Sequence, residues 1–166
     1  MNFKTTVLAA AAALILTPAA AMAATEQFPI QVTVEATVPS ATGLQISPVG
    51  DWAGQTQNMR WNIATQRLDP IQQQVDMKSG LGAINAYLTT EAMLTSAGNS
   101  IDLTVAVAGQ DLQVGAANAV EVATPTEAAA SKRAAVAITA ADAGVDGYAH
   151  GNYQGNVFMM FESGTP

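Results

Sequence analysis

Cysteine is absent from the 166 residues, histidine occurs once, at position 150, and charged residues make up only 11%. The first absence excludes disulfides, thiolate nucleophiles and cysteine-ligated metals, and a single imidazole leaves no His pair for zinc. Basic residues are scarce, 6 Lys and Arg against 13 Asp and Glu, for a net charge of -7. Nucleic acid and anionic lipid both require clustered positive charge, so neither is an expected partner. Long apolar runs are also missing: the longest, Val7 to Leu16, is half of what a membrane-spanning helix needs. Low charge does not mean disorder here, because 49% of the residues are hydrophobic. The length suits one domain with one core.

What is present begins with an export signal. Lys4 supplies a positive end, the apolar run Val7–Leu16 follows, Thr17 and Pro18 break it, and Ala21-Met22-Ala23 offers a small-x-small cleavage pattern. Residues 1–23 are therefore expected to be a signal peptide, cut before Ala24, with no permanent anchor in the mature form. Its removal takes away Lys4 alone among charged residues and leaves 143 residues at a net charge of -8. An exported chain without cysteine must be stabilised by burial and strand pairing alone.

The mature chain reads as all-β: strand signals are short, turn residues separate them, and long helical periodicity is missing. From Phe28, the even positions Phe28, Ile30, Val32, Val34, Ala36 and Val38 are apolar, whereas the odd ones are Gln, Pro, Thr or Glu. Such strict alternation makes one face to bury and one to wet, and it fixes register, since a one-residue slip exchanges the faces. Further alternation predicts strands at Met59–Ile63, Ile71–Met77, Ile101–Val107, Ala134–Ile138 and Tyr153–Phe161. Ala108-Gly109-Gln110 is expected to turn the third of these into a hairpin arm at Leu112–Val114. Seven or eight strands on one core imply a sandwich. Loops are expected at 40–43, 50–57, 97–100 and 141–151, and Thr124-Pro125 is expected to cap a short helix.

Candidate chemical groups have plain structural readings. His150 reads as a loop histidine without an orienting partner. Asp142-Ala-Gly-Val-Asp146-Gly lacks the alternating oxygen ligands and closing Glu of a calcium loop, and so reads as a turn. Gly80-Leu-Gly82 lacks a third glycine and a following helix. Lys132 and Arg133 read as a solvated strand edge. Trp61, Tyr87 and Tyr153 are expected in the core, and Trp52 and Tyr148 at the surface, where they are candidates for a glycan platform. No acid, base and nucleophile converge, so no enzyme activity, cofactor or metal is expected.

The stretch Phe28–Val38 reads equally as the chain's own first strand or as a detached strand that completes a neighbouring molecule's sheet. At this point the residues resemble a family. Val32-Thr-Val-Glu-Ala-Thr-Val38 and Gly151-Asn-Tyr-Gln-Gly-Asn-Val-Phe-Met-Met-Phe161 are similar to the two ends of major pilins of the alternate chaperone-usher class. These include colonisation factor antigen I and the cable pili. Met59-Arg-Trp61, Gln74-Val-Asp76, Ile101–Val107 and Ala134–Thr139 fall in a matching order between them.

The resemblance implies an incomplete immunoglobulin-like β-sandwich, residues 40–166, completed by donor-strand exchange. The N-terminal extension, residues 24–39, would supply the strand, with Val32, Val34, Ala36 and Val38 filling a groove and Phe28 and Ile30 extending the stripe upstream. Pro29 lacks an N–H for the ladder, so pairing is expected to stop near Ile30. Gly151, Asn152, Tyr153, Gly155, Val157, Met159 and Phe161 form the C-terminal motif. The implied function is that of a structural major subunit of an adhesive fimbria on the bacterial surface, exported through the periplasm. Implied partners are identical subunits, a periplasmic chaperone and an outer-membrane usher, with a tip adhesin and host glycans as further candidates. The alternative from the residues alone is a monomeric secreted or periplasmic glycan-binding sandwich.

Overall fold

Alternation of apolar and polar residues builds the larger of two antiparallel sheets. In the computed structural model, which describes residues 43–164, its strands are β1 (Gln45–Pro48), β4 (Ile71–Lys78), β10 (Lys132–Ala140), β7 (Asn99–Val107) and β6 (Met93–Ser96), in that spatial order. A short β8 (Gln110–Asp111) also pairs with β7. Every second residue of the central strands points inward: Val75 and Met77, Ala134, Val136 and Ile138, Val105 and Val107 are all buried. The described residues belong to one of the two units into which the chain divides, Thr37–Pro166; the other, Met1–Ala36, lies outside them.

The smaller sheet closes the other side of this core. It contains β11 (Met159–Ser163), β5 (Ile84–Leu88) and β9 (Val120–Ala123) in the order β11-β5-β9. Ile84, Ala86 and Leu88 of its middle strand are buried in the same hydrophobic cluster as the large sheet's inner face. The result is a two-layer sandwich. A small hairpin, β2 (Trp61–Asn62) with β3 (Arg67–Leu68), stands apart from both sheets. Among the described residues no helix is long and apolar enough to cross a membrane.

Two poles follow from the connections. The turn after β4 leads into β5, and the Ser79 and Ser163 hydroxyls, 2.6 Å apart, bring the ends of β4 and β11 to the same place. The helix α1 (Pro125–Ala130) sits there too, its Ala128 carbonyl accepting from the Ser79 N–H at 3.0 Å. The opposite pole carries the β2–β3 hairpin, the 141–150 loop and the entry into β11. Arg67 to Asp142 (3.1 Å) and the edge-to-face pair Trp61–Tyr148 (5.9 Å) join the hairpin to that loop.

Several expectations are corrected by tertiary pairing. Met59–Ile63 is strand only at Trp61–Asn62, because Arg67–Leu68 offers a two-residue partner and no more. Tyr153–Phe161 is strand only from Met159; Gln154 instead bridges to Thr95 of β6 before the chain crosses to the small sheet. The arm after the Ala108-Gly109 turn ends at Asp111, and Val114 bridges to Leu88. Asn99 and Ser100, expected in a loop, begin β7, because the turn is confined to Ala97-Gly98. Both two-residue turns hold positive φ at both positions, 45° and 88° for Ala97-Gly98 and 52° and 81° for Ala108-Gly109, the twist that suits tight hairpins.

Lys132 and Arg133 pair with Met77 and Asp76 of β4, but β10 meets β7 only from Val136 onward, so both residues lie on a solvated stretch of strand edge, as expected. Arg133 faces Asp76 across the ladder and donates to both carboxylate oxygens, at 2.7 and 2.8 Å. Lys132 reaches Glu127 at 3.1 Å, and Glu127 also accepts from the Thr124 N–H, closing the helix's capping box. The Arg133 hydrogen bond holds the Asp76 carboxyl below its ordinary range, and the Thr124 backbone and Lys132 do the same for Glu127. Their contribution to stability is full above the ordinary carboxylate range and is lost as pH falls through each depressed native value. Asp76→Asn is therefore expected to destabilise the fold at neutral pH, with the gap to the parent closing on acidification. Urea midpoints across a pH series measure this; a gap that widens toward acid contradicts it.

Candidate functional site: the open edge of the small sheet

β11 has β5 along one side, and among the described residues no strand pairs with its other edge. The inner face shows the consequence. Met159 and Phe161 are only half-buried, although their cross-strand partners Leu88 and Ala86 are buried. Val157, just upstream, is half-buried against the same core. β1 is likewise terminal in the large sheet, with Leu44 and Ile46 half-buried against the core.

These two edges bound the same side of the sandwich. β9 touches β8, which lies beyond β7, so the β9 side of the small sheet overlies the part of the large sheet remote from β1. β11, on the other side of β5, therefore faces toward β4 and β1, as the Ser79–Ser163 contact requires. Leu44 and Ile46 at one terminal strand, and Val157, Met159 and Phe161 at the other, are partly buried against the same core, and among the described residues no strand pairs with the outer edge of β11.

The C-terminal motif divides into two parts. Gly151, Asn152, Tyr153 and Gly155 set the path into β11. A Cβ on Gly155 would collide with the Met93 carbonyl oxygen and come within 3.2 Å of Leu94 Cα; one on Gly151 would meet Ser96 Oγ at 2.5 Å. Gln154 exchanges both backbone hydrogen bonds with Thr95, at 2.9 and 3.1 Å, and the Tyr153 hydroxyl donates to the Ala149 carbonyl at 3.0 Å. Asn152 is exposed. Val157, Met159 and Phe161 form the part that faces the open edge. Phe28, Ile30, Val32, Val34, Ala36 and Val38, with the 1–23 and 24–39 segments, lie outside the described residues.

The remaining candidates are dispersed. His150 is an exposed loop residue, and Gly80 and Gly82 belong to the turn between β4 and β5. Among the described residues, no three acidic, His or Cys side chains converge as a metal site. The tryptophans exchange their expected places. Trp52 packs against the core, its indole N–H donating to the Gln74 carbonyl at 3.0 Å, whereas Trp61 is half-exposed against Tyr148. Tyr148 is half-buried rather than exposed; its hydroxyl donates to the Ala141 carbonyl, and burial, then the Asp142 charge, push its phenol up. Tyr87 lies on the outer face of β5 opposite Met160, and not in the core. Leu44 and Ile46 were not legible as site residues: their alternation is short and stops at Pro48.

The family model described as the CS1 type fimbrial major subunit matches residues 29–162. The chain belongs to this family. It is therefore a structural subunit of a fimbrium and not an enzyme, its partners in the filament are identical subunits, and its place is the cell surface. The solved CooA pilin subunit from enterotoxigenic Escherichia coli has a similar fold: the TM-score is 0.55 at 14% identity, over 72% of this chain and 88% of that one. No curated protein matches. The all-β, incomplete immunoglobulin-like reading of this pilin holds, with both sheets in place and, among the described residues, no strand on the outer edge of β11.

Proposed function

We propose that this fimbrial subunit polymerises by donor-strand exchange, the arm of one copy (residues 24–39) occupying the open side between β1 and β11 of the next. The observation that supports this best is the contrast on the small sheet: buried residues on β5 and half-buried ones on the inner face of β11, beside an unpaired edge. Val32, Val34 and Val38 at about 1.5–3 kcal/mol each, with Ala36, would contribute on the order of 5–9 kcal/mol of gross burial before ordering costs. Every strand pair in both sheets is antiparallel, so the arm is placed antiparallel to β11, Val32 near Ser163 and Val38 near Val157. A contact in which one copy gives an arm and the next receives it does not close, and so propagates a filament.

On this reading residues 1–23 direct export, and residues 40–166 form the pilin domain. A periplasmic chaperone covers the open side until the outer-membrane usher delivers the subunit. The test removes residues 24–38 from the mature chain. The truncated protein is expected to be recoverable only with a chaperone or with the segment supplied as a peptide. A soluble truncated monomer with full cooperative unfolding would overturn the proposal.

A further inference from the structure

We propose that the pole carrying the β2–β3 hairpin and the 141–150 loop is the seat for the opposite pole of the next copy, so that a second contact lies end to end beside the exchanged arm. The inference rests on the arm-exchange reading for its geometry and goes beyond it in naming a second surface. Exposed large apolar side chains concentrate at this pole: Ile63 at 82% and Val145 fully exposed on the two linked loops, half-exposed Trp61 beside them, and Phe158 and Val114 at the same end of the small sheet. Among the described residues the opposite pole presents one of comparable kind, Leu81, half-exposed in the β4–β5 turn. Scattered apolar residues on a surface need no explanation, but such a group on one end of a polymerising subunit does.

Chain length sets which pole meets which. β1 starts at the α1 pole, since Gln45 pairs with Lys78 at the end of β4. An incoming arm antiparallel to β11 brings its Val38 to the hairpin pole. Residues 39–44 then connect it to its own β1, and six residues span at most about 20 Å. The α1 pole of the arm's owner is thereby held within that distance of the acceptor's hairpin pole. An end so rich in exposed apolar side chains, tethered this close to the end that carries Leu81, meets it at high effective concentration and buries apolar surface at little further entropic cost. The occupant is a second copy of this chain, the one partner that family membership already requires.

The absence of native cysteine gives a clean test. Fibres are assembled from full-length Ile63→Cys/Leu81→Cys and Val145→Cys/Leu81→Cys chains and treated with a short bis-maleimide. At least one pair is expected to give a covalent ladder that the single-cysteine chains do not; normal fibres without a ladder from either pair overturn the end-to-end contact. A second variant, Ile63→Glu/Val145→Glu, alters only exposed loop residues. It is expected to lower filament number by about tenfold or more, while arm-linked dimers still form. Unchanged filaments overturn the proposal, and if host adhesion is then lost the face belongs to a host ligand. Failure of the arm-exchange reading is recognised separately, by fibres that still assemble from Val34→Asp chains.

Discussion

Val34→Asp is expected to abolish surface fibres while synthesis and export of the subunit continue at the parent level. Val34 is central in the even-numbered stripe from Val32 to Val38, so on the arm-exchange reading it sits deepest over the inner face of β11, with a valine on one side and Ala36 on the other. The change removes about 1.5–3 kcal/mol of apolar burial. It also places a carboxylate where Met159, Phe161 and Ile46 offer no cation, and a buried unpaired charge costs several kcal/mol more. Set against a gross burial of a few valines, this leaves nothing to hold the arm. Thr33→Asp supplies the control, since the same charge on the odd-numbered face points to solvent and leaves fibres in place. Electron micrographs of the cell surface, together with the ladder of denaturant-resistant multimers, measure both. Fibres from Val34→Asp as abundant as from Thr33→Asp would mean that the stripe does not enter the groove.

The parts of the fold that were legible are those whose local pattern decides the outcome. β4, β7 and β10 alternate over seven or more residues, and the middle of each was read in place, although β7 begins two residues earlier and β10 extends two residues further at each end. β5 and β9 were not, although their pattern is the same in kind. Ile84-Asn-Ala-Tyr-Leu88 hides its alternation behind a small buried Ala86 and a large outward Tyr87, and Val120–Ala123 is too short to show a period. β1 ends in Pro48, a residue suited only to an edge, which is where it lies. The helix was readable because Thr124 and Pro125 carry an N-cap and a first helical position side by side, and the structure adds Glu127 to complete the capping box.

The site was legible on one side only. Met159 and Phe161 belong to the motif that carries the family resemblance, so the last strand was expected from the sequence, although nothing in its pattern marks which of its edges goes unpaired. Leu44 and Ile46, across the opening, owe their place to pairing with β4 about thirty residues later, and no local signal marks them. The two tryptophans teach the same lesson. Trp52 lies between Asp51 and Ala53 in an irregular segment, and only the Gln74 carbonyl, 22 residues away, draws it inward. Trp61 lies in an alternating run, yet the hairpin that contains it leaves the sheets. Periodicity reports which face a side chain takes, but not which layer the segment joins.

Gly155→Ala should produce a large loss of stability from a single methyl group. Gly155 carries no positive φ that demands glycine, so the constraint is proximity and not backbone torsion. Its Cα lies against the backbone of Met93 and Leu94, where a Cβ would overlap the Met93 carbonyl. The obstacle is main chain fixed in β6, which pairs with β7, and it cannot swing aside as a flexible side chain would. The crossing segment must move instead, which breaks the paired Gln154–Thr95 hydrogen bonds. Overpacking at about 1–3 kcal/mol and two backbone hydrogen bonds at about 1 kcal/mol each sum to roughly 3–5 kcal/mol. For a domain of this size that lowers Tm by about 10 °C or more. Gly144→Ala is the comparison, because a Cβ there meets nothing within 4 Å, and its Tm is expected to match or slightly exceed the parent's. Because residues 155–158 lead directly into β11, the displaced segment also shifts Val157 and Met159 at the open edge. Fibre yield is therefore expected to fall further than the Tm alone accounts for, and equal Tm values for the two glycine variants would show that the close crossing is not what fixes the entry into the last strand.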